Sequence, residues 1–278
     1  MRRLVLTCLF MFVTASIIAD NSHNIDTSGV CVPENFAFQP GEEIEYTIYY
    51  NWGLIWVNAG LVNFSVEESE FRGTPAYYLD TYGRSHRWYD RVFRVRDRFH
   101  SYVEKETLRP LWHEMDTYEG GHEAWDVYNF YHDNSKVVAS TEDSKRPRQI
   151  DTIDIGPCSY DIVTAAYIAR NIDFSSYNKN DRIPFSILIR DELHSINPKF
   201  LGRETIETRR GGTYDCLKFS ITLVDGYIFK GGDDLFIWVT DDDNRVPVMI
   251  EAELRVGSIK AVLKSYDGLR HPMSARVD

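Results

Sequence analysis

Residues 111–132 read LWHEMDTYEGGHEAWDVYNFYH, and this stretch decides the fold. Two runs rich in Trp, Tyr, Thr, Val and Phe flank Gly120-Gly121. Aromatic and β-branched side chains suit a pleated, half-buried surface, and paired glycines supply the positive φ that a tight hairpin loop demands. The spacing predicts an antiparallel hairpin of Leu111–Glu119 against Glu123–His132, with Glu119 opposite His122 and His113 opposite Tyr128.

The same grammar repeats on either side of that hairpin. Ile206–Arg209 and Tyr214–Leu223 flank Gly211-Gly212, and Glu42–Asn51 and Leu54–Val66 flank Trp52-Gly53. Gly231-Gly232 opens the run Leu235–Val239, whose partner Val246–Leu254 lies across the turn Asp241–Arg245; Gly257 then precedes a closing strand, Ser258–Leu263. Helix signals are few. Ser159 is placed to cap Tyr160–Asn171, with Asp161 in its first turn and Arg170 in its last, each matching the helix dipole. Ile162, Ala165, Ala166 and Ala169 give that segment one apolar face. A second helix is expected over His86–Val95, after Ser85. The expected fold class is therefore mainly β: a single curled antiparallel sheet or partly closed β-barrel of roughly ten to twelve strands, which protects its edges, with one or two short helices.

The N-terminus sets the expected compartment. Arg2-Arg3 precede an uncharged stretch from Leu4 to Ala19, the layout of a secretory signal peptide. Its apolar centre is too short for a membrane span, which needs roughly 17 to 25 apolar residues. The expected organisation is a signal peptide over 1–19, an irregular leader over 20–35, one β-rich domain over 36–266 and a tail over 267–278. Removing residues 1–19 takes away two arginines and no acid, so the net charge moves from −11 to −13. Such a surface repels phosphate backbones, which argues against nucleic-acid binding. The expected location is the periplasm or the outside of the cell, with no lipid anchor and no membrane span. Three cysteines remain after export, and Cys31 with Cys158 is the preferred disulfide because Cys216 lies in a strand-like run.

The residue patterns that resemble chemical sites mostly dissolve on inspection. His113 and His122 would sit roughly 20 Å apart along the predicted ladder at about 3.3 Å per residue, too far to share a metal ion. The run Thr240–Arg245 (TDDDNR) lacks the alternating acids and the glycine of a calcium loop and reads as a hairpin tip. No nucleophile elbow occurs and no carboxylate pair can be singled out, so no catalytic residue, cofactor or metal is assigned, and a non-enzymatic role is favoured. Arg84, Arg87, Arg91 and Arg94 reverse the sign of an otherwise acidic chain. On a helix over 86–95 they would line one face, a candidate site for an anionic headgroup. Trp52, Trp56 and Trp238 are candidate aromatics for a groove.

Phe38, Gly41-Glu42 and Tyr46, followed by Trp52-Gly53, Ile55, Val57 and Ala59-Gly60, resemble the opening of the family called domain of unknown function 3108. The resemblance continues through Leu108, Pro110, Asp161, Arg170-Asn171, Gly202, Glu204, Phe229 and Gly231-Gly232 to IWVTDD, RVPV, Gly257, Ile259 and Leu263, over about residues 36–264. It looks like the members found in Bacteroides-type bacteria and implies an exported protein of no assigned activity. The closing hairpin is also similar to that of the LolA and LolB type half-barrel carriers. Together these imply a non-catalytic cell-envelope protein that binds a lipid or other amphiphile in a half-barrel-like groove. The alternatives are a glycan-binding or glycan-processing accessory and a purely structural envelope scaffold.

Overall fold

The structure, a computed structural model, describes residues 31, 34–52, 55–209, 211–223, 232–253 and 257–278; the side chains of 52, 223 and 232–234 also lie outside the description. The signal peptide and most of the leader expected from the sequence fall outside these residues. The strands are β1 (Glu43–Trp52), β2 (Ile55–Phe71), β3 (Thr74–Ser85), β4 (Val95–Glu104), β5 (Pro110–Glu119), β6 (His122–Tyr131), β7 (Lys136–Asp143) and β8 (Arg146–Asp154). A two-residue strand, β9 (Ser159–Tyr160), leads into helix α1 (Ile162–Ala169). There follow β10 (Phe185–Ile189), β11 (Glu192–Ile196), β12 (Lys199–Glu207), β13 (Thr213–Leu223), β14 (Gly232–Thr240), β15 (Pro247–Glu253) and β16 (Ser258–Asp267).

Thirteen strands make one curled antiparallel sheet that does not close into a barrel. Its order runs from β12 through β16, then β1 through to β8, so the first and last long strands meet in mid-sheet, with Glu43 opposite Asp267 and Asn51 opposite Ser258. The connections are nearly all hairpins, as the glycine punctuation predicts. In the deciding hairpin Glu119 faces His122 and His113 faces Tyr128. Gly120 and Gly121 have φ of 58° and 95°, and a Cβ on Gly120 would collide with the Phe93 ring, so both the turn and the packing require glycine there. The smaller sheet, β11-β10-β9, has β9 parallel to β10 and was not foreseen from the sequence.

Side-chain alternation sends one face of the sheet to the core. On β4 Val95, Phe99 and Val103 are buried while their neighbours are not, and Leu79, Met115 and Ala124 repeat the pattern on adjoining strands. Val163, Ala165, Tyr167 and Ile168 of α1 close this core from the other side. Leu188 of β10 packs on Tyr128, Phe130, Val137 and Ala139 of β6 and β7. Helix and small sheet together act as a plug against the large sheet. A separate cluster gathers Ile44, Tyr46, Ile48, Val248, Ile259 and Leu263, where β1, β15 and β16 adjoin. Complete burial of a Leu, Met or Ile side chain is worth about 1.5–3 kcal/mol, so the aliphatic residues of these clusters are a leading source of stability.

Two helix expectations need correction. The sequence places the cap of α1 at Ser159, but the N-cap is Asp161, whose carboxylate accepts the Thr164 N–H at 2.9 Å; Ser159 is already in β9, its hydroxyl accepting from Gly156 N. An aspartate next to a strand end competes better for the helix N–H groups than a serine held in that strand. Over 86–95 there is no α-helix, only a 3-10 turn, Tyr89–Arg91. Ser85 spends its hydroxyl on Asp90 and accepts the Val95 N–H, while Arg96 clamps Asp90 at 2.6 Å, and these bonds tie the segment into a tight loop.

Candidate functional site

Three polar constellations are buried in the interior, two of them clasping the helix, and they must be separated from any binding site. Ser101 of β4 and His113 of β5 are cross-strand neighbours, and the Ser101 hydroxyl donates to Asp161 Oδ1 at 2.8 Å while lying 2.9 Å from His113 Nδ1. His113 Nδ1 is itself 3.2 Å from Asp161. The residue types suggest a hydrolytic triad, but serine and carboxylate meet the same ring nitrogen and all three side chains are buried, so no nucleophile reaches a substrate. Burial alone would raise the Asp161 carboxyl; His113 and the bonds from Thr164 outweigh it and hold it below the usual carboxylate range. This cluster clasps the start of α1.

Arg170 clasps the other end. It meets Glu42 in a buried fork of 2.6 and 2.8 Å and donates to the carbonyls of Ala37 and Asn244. Asn171 accepts the N–H groups of Phe36 and Ala37, and His271 reaches the Phe36 carbonyl, so the segment before β1 and the tail after β16 lock onto the helix end. Asp97, Glu119 and Asp126 form the third group: carboxyls buried on the inner face, with no partner for Asp97 Oδ2 or for either oxygen of Asp126. Among the described residues no group of three or more His, Cys, Asp or Glu is placed to hold a metal ion.

An open pocket of about 600 Å³ lies where β3 leaves the sheet, lined by Asn58, Arg84, His86, Arg87 and Trp88. Arg84 is the penultimate residue of β3, and Arg87 and Trp88 belong to the loop that replaces the expected helix. The His86 N–H bonds the Ala59 carbonyl at 2.9 Å, which fixes the loop on the edge of β2. His86 Nε2 lies 2.9 Å from Asn58 Oδ1. Partial burial, followed by the charges of Arg84 and Lys264, lowers the His86 pKa, so at neutral pH the ring is uncharged and Nε2–H donates to Asn58. The one acid of the loop, Asp90, is turned to Arg96 and Ser85. Among the described residues no ion pair joins Arg84 or Arg87 to a carboxylate, and Trp88 is 57% exposed beside them. The pocket thus offers two guanidinium forks, a neutral polar pair and an indole face.

The other residues singled out from the sequence scatter. Arg91 sits in the 3-10 turn and Arg94 lies over the Tyr118 ring at 5.1 Å, so the four arginines do not form one stripe. The Trp52 side chain lies outside the described residues. Trp56 has Lys260 and Arg209 over its ring at 4.9 and 5.7 Å, whereas Trp238 is buried on β14 with its N–H on Glu204 and Lys218 over its ring. Among the described residues Trp56 and Trp238 line no common groove, each being engaged by charged side chains of its own. Cys31 and Cys158 are joined in a disulfide, and Cys216 is a free, buried thiol pushed up to about 12 by burial. The Asp242 carboxylate accepts from Thr240, Asn244 and Arg245 and shapes a hairpin tip.

A family model described as "Protein of unknown function (DUF3108)" matches residues 45–264. The chain belongs to the DUF3108 family. No curated protein matches this DUF3108 chain. Among solved structures it is similar to a "beta-barrel-like protein of domain of unknown function DUF1849" from Brucella abortus, with a TM-score of 0.54, 8% identity, and 81% of this chain and 96% of that one covered. That likeness extends to the fold alone and agrees with the curled sheet of the DUF3108 chain. Among the described residues no helix is long and apolar enough to cross a membrane.

Proposed function

We propose that this DUF3108 chain is an exported, non-catalytic cell-envelope protein that holds the anionic head of a lipid or other amphiphile at the Arg84/Arg87 pocket. The observation that carries this reading is the convergence of Arg84, Arg87 and the exposed Trp88 on one open pocket. Guanidinium forks match the oxygens of phosphate or carboxylate, and an indole face suits the first carbons of an apolar tail. The uncharged His86–Asn58 pair adds donors without diluting the positive sign. Export is supported by the Arg2-Arg3 and Leu4–Ala19 pattern and by the half-barrel-like closing hairpin. The glycan alternative has less support. Trp112 is held between the rings of Phe71 and His100, so its own faces are not free to stack on a sugar.

The test is co-sedimentation with vesicles of anionic or zwitterionic lipid, using the wild type, Arg84→Gln/Arg87→Gln and Arg91→Gln. Each charge-assisted hydrogen bond is worth about 1.5–3 kcal/mol, so the double substitution is expected to weaken binding to anionic vesicles by roughly tenfold or more. Arg91→Gln leaves it within about twofold. Equal binding by all three proteins, or no preference for anionic lipid, overturns the assignment.

A further inference from the structure

The large sheet ends on two edges that are treated differently. At β12 the segment 180–183 runs alongside: Phe200 N–H bonds the Asp181 carbonyl, Asn180 N–H bonds the Phe200 carbonyl, and Arg182 bridges Lys199. At β8 the ladder stops among the described residues. Eight of its nine residues are exposed, Ile153 being the exception, and Ile150 at its centre is 68% exposed. A nine-residue strand with one free rim and two bare faces is a template for another strand.

The sequence of β8, RPRQIDTID, decides which strand fits. Its first half carries Arg146 and Arg148, and its second half carries Asp151 and Asp154. Paired antiparallel with itself about Ile150, it places Arg146 opposite Asp154 on both sides of the axis, Arg148 opposite Thr152, Gln149 opposite Asp151, Pro147 opposite Ile153, and Ile150 on itself. Arg146 and Asp154 meet as opposite charges at both ends, Arg148 and Asp151 each meet a neutral polar residue, apolar meets apolar, and no like charges face each other. A shift of the axis to Asp151 would bring two carboxylates face to face, which is unfavourable. Arg148 and Asp154 already touch Glu142 and Lys136 in solvent-exposed pairs of little individual worth that exchange at small cost, and the largely exposed Arg146 meets Asp143, whose side chain is 5% exposed and which Arg190 also holds, only at 3.7 Å. Pro147 removes at most one donor near each end of a joint ladder and leaves its middle intact. Although the chain is acidic overall, this strand is neutral, so two copies can approach along it.

We infer that β8 is a self-pairing edge, and that two copies of the chain associate through β8 and its symmetry mate with the twofold axis at Ile150, fusing two open sheets into one. Directly opposed residues of an antiparallel pair have Cα atoms about 4.5–5.5 Å apart, within the span of a disulfide. Ile150→Cys in the full chain is therefore expected to form covalent dimers under mild oxidation. Gln149→Cys and Asp151→Cys are each expected to form no covalent dimer alone and to cross-link only when mixed. In sedimentation velocity the wild type should dimerise, while Arg146→Glu and Asp154→Arg should each weaken the dimer by roughly tenfold, and an equimolar mixture of the two should restore it. That restoration also shows both variants to be folded. A wild type that stays monomeric overturns the inference, as does cross-linking with no preference among positions 149 to 151 or a dimer indifferent to both charge reversals.

Discussion

At the residue scale the unpaired carboxyls of the inner face carry the clearest consequence. Asp97 accepts only the Tyr118 N–H, at 3.2 Å, and its other oxygen is unpartnered; burial raises its pKa to about 8, with Asp116 adding to the rise and Arg96 opposing it. Glu119 is pushed up by burial and by Asp97, and Asp126 is raised to about 6 by burial against Arg190 and His113. All three have folded pKa values above those of the unfolded chain, so the folded state binds more protons across the interval between them. The stability these three groups contribute is therefore fully present only below about pH 4, and it is lost as pH rises through 6 for Asp126 and 8 for Asp97, whereas Asp161, held low, weakens the fold only in stronger acid. Thermal melts from pH 5 to 8.5 should show Tm falling by roughly 3–6 °C, and Asp97→Asn should flatten the slope and raise Tm most at the alkaline end. A wild-type Tm that rises over this range would refute it. Little of this was legible in the sequence. Strand alternation places Asp97 in step with Phe99, but an acid at an inward position is the exception that a pattern reading rejects. The His113–His122 separation was legible, because one glycine pair fixes the register of a whole hairpin.

At the element scale, α1 is eight residues long and depends on clasps made by distant segments. Its apolar face could be read from Ile162, Ala165 and Ala169, and its end charges from Asp161 and Arg170. Their partners could not, since Glu42 and Ser101 lie 128 and 60 residues away in sequence. The same limit explains the 86–95 segment: its arginines have helical spacing, but Ser85, Asp90 and Arg96 satisfy one another locally, and that network overrides propensity. Strands β10 and β11, five residues each with no glycine pair between them, gave no hairpin signal. Removing one member of a buried ion pair strands the other charge and costs about 3–5 kcal/mol. Glu42→Gln and Arg170→Met singly should each lower stability by about that amount in urea denaturation, and the Glu42→Leu/Arg170→Met pair should recover at least half of the loss. Singles that melt like the wild type would mean that the clasp contributes nothing.

At the scale of the whole molecule, an open sheet that spans most of the chain places its stability in long-range ties. The antiparallel meander itself was legible, because each glycine turn announces a neighbour pairing; the seam where β1 joins β16 was not, since no local signal marks a contact between the two ends of a chain. Two ties close that seam's surroundings. The tail after β16 bonds back along β13, where Asp215 N–H meets the Ala275 carbonyl and Val277 N–H meets the Thr213 carbonyl. The Cys31–Cys158 disulfide fixes the segment ahead of β1 to the residue that precedes β9 and α1, across a separation of 127 residues. Cross-linking so long a loop removes unfolded-state entropy worth about 5 kcal/mol in the chain-entropy view, and measured losses for native bridges run at about 2–5 kcal/mol. Denaturation with and without reductant should therefore show a loss of that size on reduction. Cys31→Ser should match the reduced protein and be insensitive to further reductant, because Cys216 is buried and its raised pKa keeps it out of thiol exchange. If the reduced and oxidised proteins unfold at the same denaturant concentration, the bridge is not a stabilising tie, and the bonds from Arg170, Asn171 and His271 hold the N-terminal segment on the helix end without it.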